Sequence, residues 1–130
     1  MSEDPFTVVF VDNFRPRAIK YRIKGSPHRI RLCDDLEELD RFFQKERANL
    51  VFISCTFKGW NKVEDIARAL ARHFYNLKFD GVIVNTPVKA WGRDLVAALR
   101  AACIPARWYP YNWRTPSLHT HVPLRKSLED

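Results

Sequence analysis

AIKYRIKGSPHRIRL, Ala18 to Leu32, is the stretch on which the fold turns. Its first half alternates, with Ile19, Tyr21 and Ile23 on one side and Lys20, Arg22 and Lys24 on the other. Its second half, His28 to Leu32, places Ile30 and Leu32 against Arg29 and Arg31. Gly25, Ser26 and Pro27 stand between them as a turn. Period-two alternation on both sides of a turn predicts a hairpin with one apolar and one basic face. A hairpin here makes the start of the sheet an antiparallel meander, whereas a helix would start a wholly parallel sheet.

The flanking segments support an α/β chain. FTVVFVD, Phe6 to Asp12, is too continuously apolar to be half exposed and reads as a central strand buried on both faces, ending in a carboxylate. Leu50 to Thr56 (LVFISCT) and Gly81 to Thr86 (GVIVNT) share that grammar. Asp34 or Asp35 caps a helix carrying Leu36, Leu39 and Phe42 or Phe43 at helical spacing. A second helix, about Lys62 to Tyr75, lines up Val63, Ile66, Ala67, Leu70 and Phe74, and a third, about Trp91 to Ala102, lines up Leu95, Leu99 and Ala102. Ile104 to Tyr111 reads as a short edge strand interrupted by prolines. The predicted order is β, β, β, α, β, α, β, α, β: a three-layer α/β fold whose mixed sheet begins as an antiparallel meander and continues as parallel βα units.

At 130 residues and 46% hydrophobic content, residues 1–130 are expected to form a single α/β domain, with 1–5 and about 114–130 as flexible tails. Cys33, Cys55 and Cys103 are widely spaced in apolar patterns and read as reduced thiols. The acidic start MSEDPF has no basic region followed by an apolar one, and no apolar run reaches a membrane span. A cytoplasmic protein without membrane contact is expected. The net charge of +7 points to an anionic partner, nucleic acid (DNA or RNA) first. Seven Arg and Lys residues and no acid lie between Asn13 and Cys33, so Lys20, Arg22, Lys24, Arg29 and Arg31 form a candidate phosphate tract.

Two stretches echo each other. Val51 to Leu70 (VFISCTFKGWNKVEDIARAL) and Val82 to Leu99 (VIVNTPVKAWGRDLVAAL) both run strand, Thr, Lys, small residue, Trp, basic residue, acid, helix. If their strands are parallel neighbours, both loops lie at the carboxyl ends, where open α/β sheets bind ligands. Lys58, Trp60, Lys89 and Trp91 would then form a lip for phosphates and bases; the alternative is that each Trp folds its own loop onto its helix. His119 and His121 form an HxH without a signposted third ligand. Trp108, Tyr109, Tyr111 and Trp113 interleave with Arg107 and Arg114, a composition that also suits a protein interface.

In the order of its elements over about residues 6 to 102, with a carboxylate closing the first strand, the chain resembles the ribonuclease H-like fold, which includes nucleases, junction resolvases and transposases. The resemblance implies catalytic carboxylates at Asp12, Glu38 and Asp94, with Asp12 as metal ligand and Mg²⁺ as the candidate cofactor. Two positions depart from the pattern: the later strands end in Ser54, Cys55 and Thr56 and in Asn85, which are poor ligands for Mg²⁺. The function expected is thus a nucleic-acid-associated, DNA-binding protein, either an atypical nuclease or a non-cleaving derivative. The alternative is a flavodoxin- or receiver-like protein-interaction module that uses the aromatic C-terminal segment.

Overall fold

The computed structural model describes residues 7–11, 29–53, 62–86 and 88–109. Five strands form one sheet: β1 (Thr7–Val11), β2 (Arg29–Cys33), β3 (Leu50–Ile53), β4 (Gly81–Asn85) and β5 (Ala106–Tyr109). Their spatial order is β2-β1-β3-β4-β5, and every neighbouring pair is parallel. Three helices are interspersed: α1 (Leu36–Lys45), α2 (Val63–Tyr75) and α3 (Lys89–Ala101).

The expected antiparallel meander does not form. β2 runs parallel to β1, with Thr7 opposite Arg29 and Val11 opposite Cys33. A meander would place Ala18–Lys24 between β1 and β2, but these two strands pair directly with each other, so the antiparallel meander fails in strand order. The hairpin's first predicted strand, Ala18–Lys24, lies outside the described residues. The mixed, ribonuclease H-like sheet is therefore replaced by a wholly parallel one. The physical reason is that alternation records only which face each side chain takes. An edge strand shows the same period whether it runs with or against its neighbour.

Burial follows from the apolar runs. Val9, Val11, Val51, Ile53, Val82 and Val84 point to one face, where Leu39 and Phe43 of α1, Ile66 and Leu70 of α2, and Leu95 and Leu99 of α3 cover them. Val8, Phe10, Leu50, Phe52 and Ile83 point to the other face and are also buried, with Ile30 and Leu32 packed beside them. All three described helices lie on the first face. β1 has no residue more than 5% exposed from Val8 to Val11, as expected of a central strand.

The amino end of the sheet is tied by polar contacts. Asn49 accepts from the Thr7 amide through Oδ1 at 2.9 Å and donates its own amide to the Thr7 carbonyl at 2.8 Å. The Asp80 amide donates to the Asn49 carbonyl at 3.0 Å, and Asp80 Oδ1 takes the Arg47 guanidinium at 2.6 Å. These bonds align the starts of β1, β3 and β4 and leave the carboxyl ends to carry the variable chemistry.

Candidate functional site at the carboxyl ends of the strands

With β1 placed between β2 and β3, the chain leaves β1 toward one side of the sheet and later elements build on the other. The crevice outside β1 and β3 is thus the topological switch point, where doubly wound sheets bind ligands. β1 ends at Val11 and β3 at Ile53. The next residues, Asp12 and Ser54, lie outside the described residues, as do Lys20, Arg22, Lys24, Lys58, Trp60, Tyr111, Trp113, His119 and His121.

Beyond β2, the described rim is acidic. Asp35 is the N-cap of α1: its Oδ1 accepts from the Glu38 amide at 2.8 Å, while Glu38 Oε2 accepts from the Asp34 amide at 2.6 Å. That is a capping box closed one residue upstream of the usual position, and it satisfies amides that the helix start would leave unpaired. Glu38 therefore holds the helix start together. Burial, followed by the negative charges of Glu38, Asp34 and Asp35, pushes the thiol of neighbouring Cys33 from 9.0 up to about 12. A thiol so placed stays protonated and unreactive at neutral pH.

Beyond β4 the rim is built differently. Thr86 is fully buried, its hydroxyl accepts from the Val88 amide at 3.1 Å, and its carbonyl accepts from the indole N–H of Trp108 at 3.0 Å. Gly92, in the first turns of α3, leaves the space into which that indole fits. Lys89 is exposed in the first turn of α3, whereas Trp91 is half-buried and packs against the core. Trp91 thus contributes to the packing of α3 against the core. The echo itself has a structural counterpart: Val51 and Val82, which open the two stretches, are direct register partners.

The three carboxylates assigned by the resemblance are not all described, and the two that are do not converge. Glu38 is in α1 and Asp94 is exposed on α3, and α2 packs between these helices. Arg29 and Arg31 project on the α1 side of the sheet edge and both reach Glu46, at 3.0 and 3.4 Å. Among the described residues no group of three or more His, Cys, Asp and Glu side chains is placed to hold a metal ion. No described helix is long and apolar enough to cross a membrane.

Two features of the structure were not anticipated. One is the Thr86–Gly92–Trp108 cluster, signalled only by an isolated glycine inside a helical pattern. The other is His73, buried in the last turn of α2, whose Nε2 meets Asp40 Oδ1 of α1 while Asp40 Oδ2 takes Arg72 at 3.3 Å. Its position three residues after Leu70, on the apolar stripe, was the available signal.

No protein-family model matches the chain, and no curated protein matches it in sequence. Solved structures do match in fold. A response regulator from Thermotoga maritima superposes with a TM-score of 0.69 at 19% identity, covering 98% of this chain and 100% of that one. The fold is receiver-like. The signal receiver domain of an HD domain-containing protein from Pseudomonas fluorescens Pf-5 superposes at 0.70 with 15% identity, over 97% and 96% of the two chains. That of a putative LuxO repressor protein from Vibrio parahaemolyticus gives 0.68 at 14%, over 97% and 92%. These likenesses overturn the ribonuclease H-like assignment, and with it the nuclease and DNA-binding expectations that rested on that scaffold. The sheet order β2-β1-β3-β4-β5 is the flavodoxin-like one.

Proposed function

We propose that this chain is a protein-interaction module on a receiver-like scaffold, a single α/β domain that acts in the cytoplasm through contact with another protein. The observation that carries this reading is the wholly parallel sheet in the order β2-β1-β3-β4-β5, shared with solved response regulators and signal receiver domains. Receiver domains interact with kinases and effector domains, which favours a protein partner over nucleic acid. The aromatic segment supplies the contact. Trp108 is held by Thr86 and Gly92 and serves as its anchor, and Tyr109, Tyr111 and Trp113 are the further aromatics of the same stretch of sequence.

Receiver domains often bind Mg²⁺ at their phosphorylation site. In this sequence the two strands of the switch point are followed by Asp12 and by Ser54, Cys55 and Thr56. One carboxylate with hydroxyl and thiol neighbours is a poor donor set for a hard divalent cation. Asp12 therefore holds Mg²⁺ weakly, and contact rather than phosphoryl transfer is the output.

The test is a photo-crosslinking residue placed at Tyr111 or Trp113 of the full chain in its native cells, with adducts identified by mass spectrometry. A discrete protein adduct that recurs between preparations and disappears when the other aromatic is changed to Ala is expected. Adducts with nucleic acid, or none with protein, would overturn the reading.

A further inference from the structure

β2 stands at one end of the sheet, paired with β1 on one side and, among the described residues, with no strand on the other. A strand so placed presents backbone N–H and C=O groups of alternate residues along its outer edge. Its two faces differ in chemistry. Arg29 and Arg31 project on the α1 side, and their side chains are 56% and 43% exposed. Ile30 and Leu32 project on the opposite side, where they are half-buried against Val8, Phe10 and their neighbours. The apolar layer under the sheet therefore reaches the edge without being closed there.

Glu46, at the C-cap of α1, shows what the basic side accepts. Its Oε1 takes Arg29 at 3.0 Å and its Oε2 takes Arg31 at 3.4 Å. Two guanidinium groups thus share one carboxylate and keep a net positive charge. Among the described residues no second acid reaches either of them. All three side chains are open to water, so an incoming carboxylate can replace Glu46 at little cost.

The period of a strand then defines the ligand. Side chains on one face of β2 are spaced about 6.7 Å apart, and those of a strand laid alongside it have the same spacing. Such a strand places every second side chain beside Arg29 and Arg31 and the intervening ones beside Ile30 and Leu32. A free anion or a nucleic-acid backbone would meet the guanidinium groups and leave the apolar pair uncovered. A second copy of this chain, joined edge to edge about a two-fold axis, would set Arg29 and Arg31 against their own counterparts on one face, a repulsive arrangement.

We propose that the outer edge of β2 accepts an extended segment of a protein partner in which acidic residues alternate with aliphatic ones. The acids lie beside Arg29 and Arg31, the aliphatic residues lie beside Ile30 and Leu32, and Glu46 is the internal carboxylate that the segment displaces. This surface is at the opposite edge of the sheet from β5 and goes beyond the aromatic contact. It is separable from that reading, because a partner crosslinked through Tyr111 or Trp113 whose binding ignores Arg29 and Arg31 would keep the module and remove this edge.

The probe is a fluorescein-labelled peptide of alternating Glu and Val, a pattern that reads alike in both chain directions, titrated with the full chain and followed by anisotropy. One control replaces Glu by Gln, and another keeps the composition but separates Glu and Val into two blocks. The alternating peptide should bind at least roughly tenfold tighter than either control, and Arg29→Glu combined with Arg31→Glu should weaken it by a similar factor. Glu46→Gln removes the competing carboxylate and should tighten binding about threefold with the melting curve nearly in place, an arm that decides the matter even where the double reversal fails to fold. Arg68→Glu, on α2, should leave the affinity unchanged. In the complex, amide exchange should slow in β2. Absence of binding, equal affinity for the block peptide, weakening rather than tightening by Glu46→Gln, or self-association of the chain that is lost in the double reversal would each overturn the proposal.

Discussion

Gly92 faces the edge of Trp108 so closely that a Cβ added to it would lie 2.6 Å from Cδ1 and 2.7 Å from Nε1, with Thr86 Cγ2 at 2.9 Å on the other side. Inside a helix, Gly to Ala ordinarily stabilises by up to about 1 kcal/mol. Here the methyl group would displace an indole that is bonded to the Thr86 carbonyl and a fully buried threonine. Overpacking of this kind costs about 1–3 kcal/mol, so the net effect of Gly92→Ala should be destabilising. A lowered melting temperature together with a red-shifted tryptophan emission is expected. A raised melting temperature would show that the notch is slack.

Asp40 and His73 join α1 to α2 across a seam that is sparser than the one between α2 and α3. His73 is 9% exposed and its ring centroid lies 4.9 Å from that of Phe43. Asp40→Ala would leave a buried nitrogen without its acceptor and Arg72 without its carboxylate, at a cost of about 1.5–3 kcal/mol. His73→Phe keeps the ring contact and removes the unpaired nitrogen, so the double variant should be more stable than the sum of the singles requires. Denaturant unfolding of all four proteins measures this coupling, and strict additivity would place the pair outside the seam's stability.

Glu38 gives a direct test of a cap against a metal ligand. Gln can close a capping box as Glu does, so Glu38→Gln should change stability by a few tenths of a kcal/mol only. Asp35→Ala removes the acceptor of the Glu38 amide and should cost about 1 kcal/mol. Addition of Mg²⁺ should leave both differences unchanged.

The buried strands were readable because a run such as Val8 to Val11 or Val51 to Ile53 has few other uses, and the strands that open the two echoed stretches are parallel neighbours. The sheet neighbour of β2 was not readable. Arg29 and Arg31 alternate with Ile30 and Leu32 because they sit at an edge, where their charges reach Glu46 rather than forming one face of a hairpin. At the carboxyl ends, a list of acids could not distinguish Glu38 the cap from Glu38 the ligand, since that depends on the backbone amides of Asp34 and Glu38. Asp40 and His73 are 33 residues apart, and nothing local joins them.

Cys33 ties the acidic rim to the pH dependence of stability. Its thiol is raised from 9.0 to about 12, first by burial and then by the carboxylates of Glu38, Asp34 and Asp35. In the unfolded chain the thiol ionises around 9, while in the folded chain it stays neutral until about 12. Above the lower value the unfolded state loses a proton that the folded state keeps, so stability is complete below it and falls as pH rises toward the upper one. The slope approaches about 1.4 kcal/mol per pH unit within that window. Cys33→Ala should remove this slope while costing some stability at neutral pH through lost packing. Unfolding curves of the two proteins taken at several values between pH 8 and pH 11, about the range where the thiol titrates in one state only, should therefore converge. At pH 8, iodoacetamide should label exposed Cys103 and leave Cys33 unmodified in the native protein. Parallel unfolding curves across that range, or rapid labelling of Cys33, would show that the thiol is neither as buried nor as surrounded by negative charge as the structure has it.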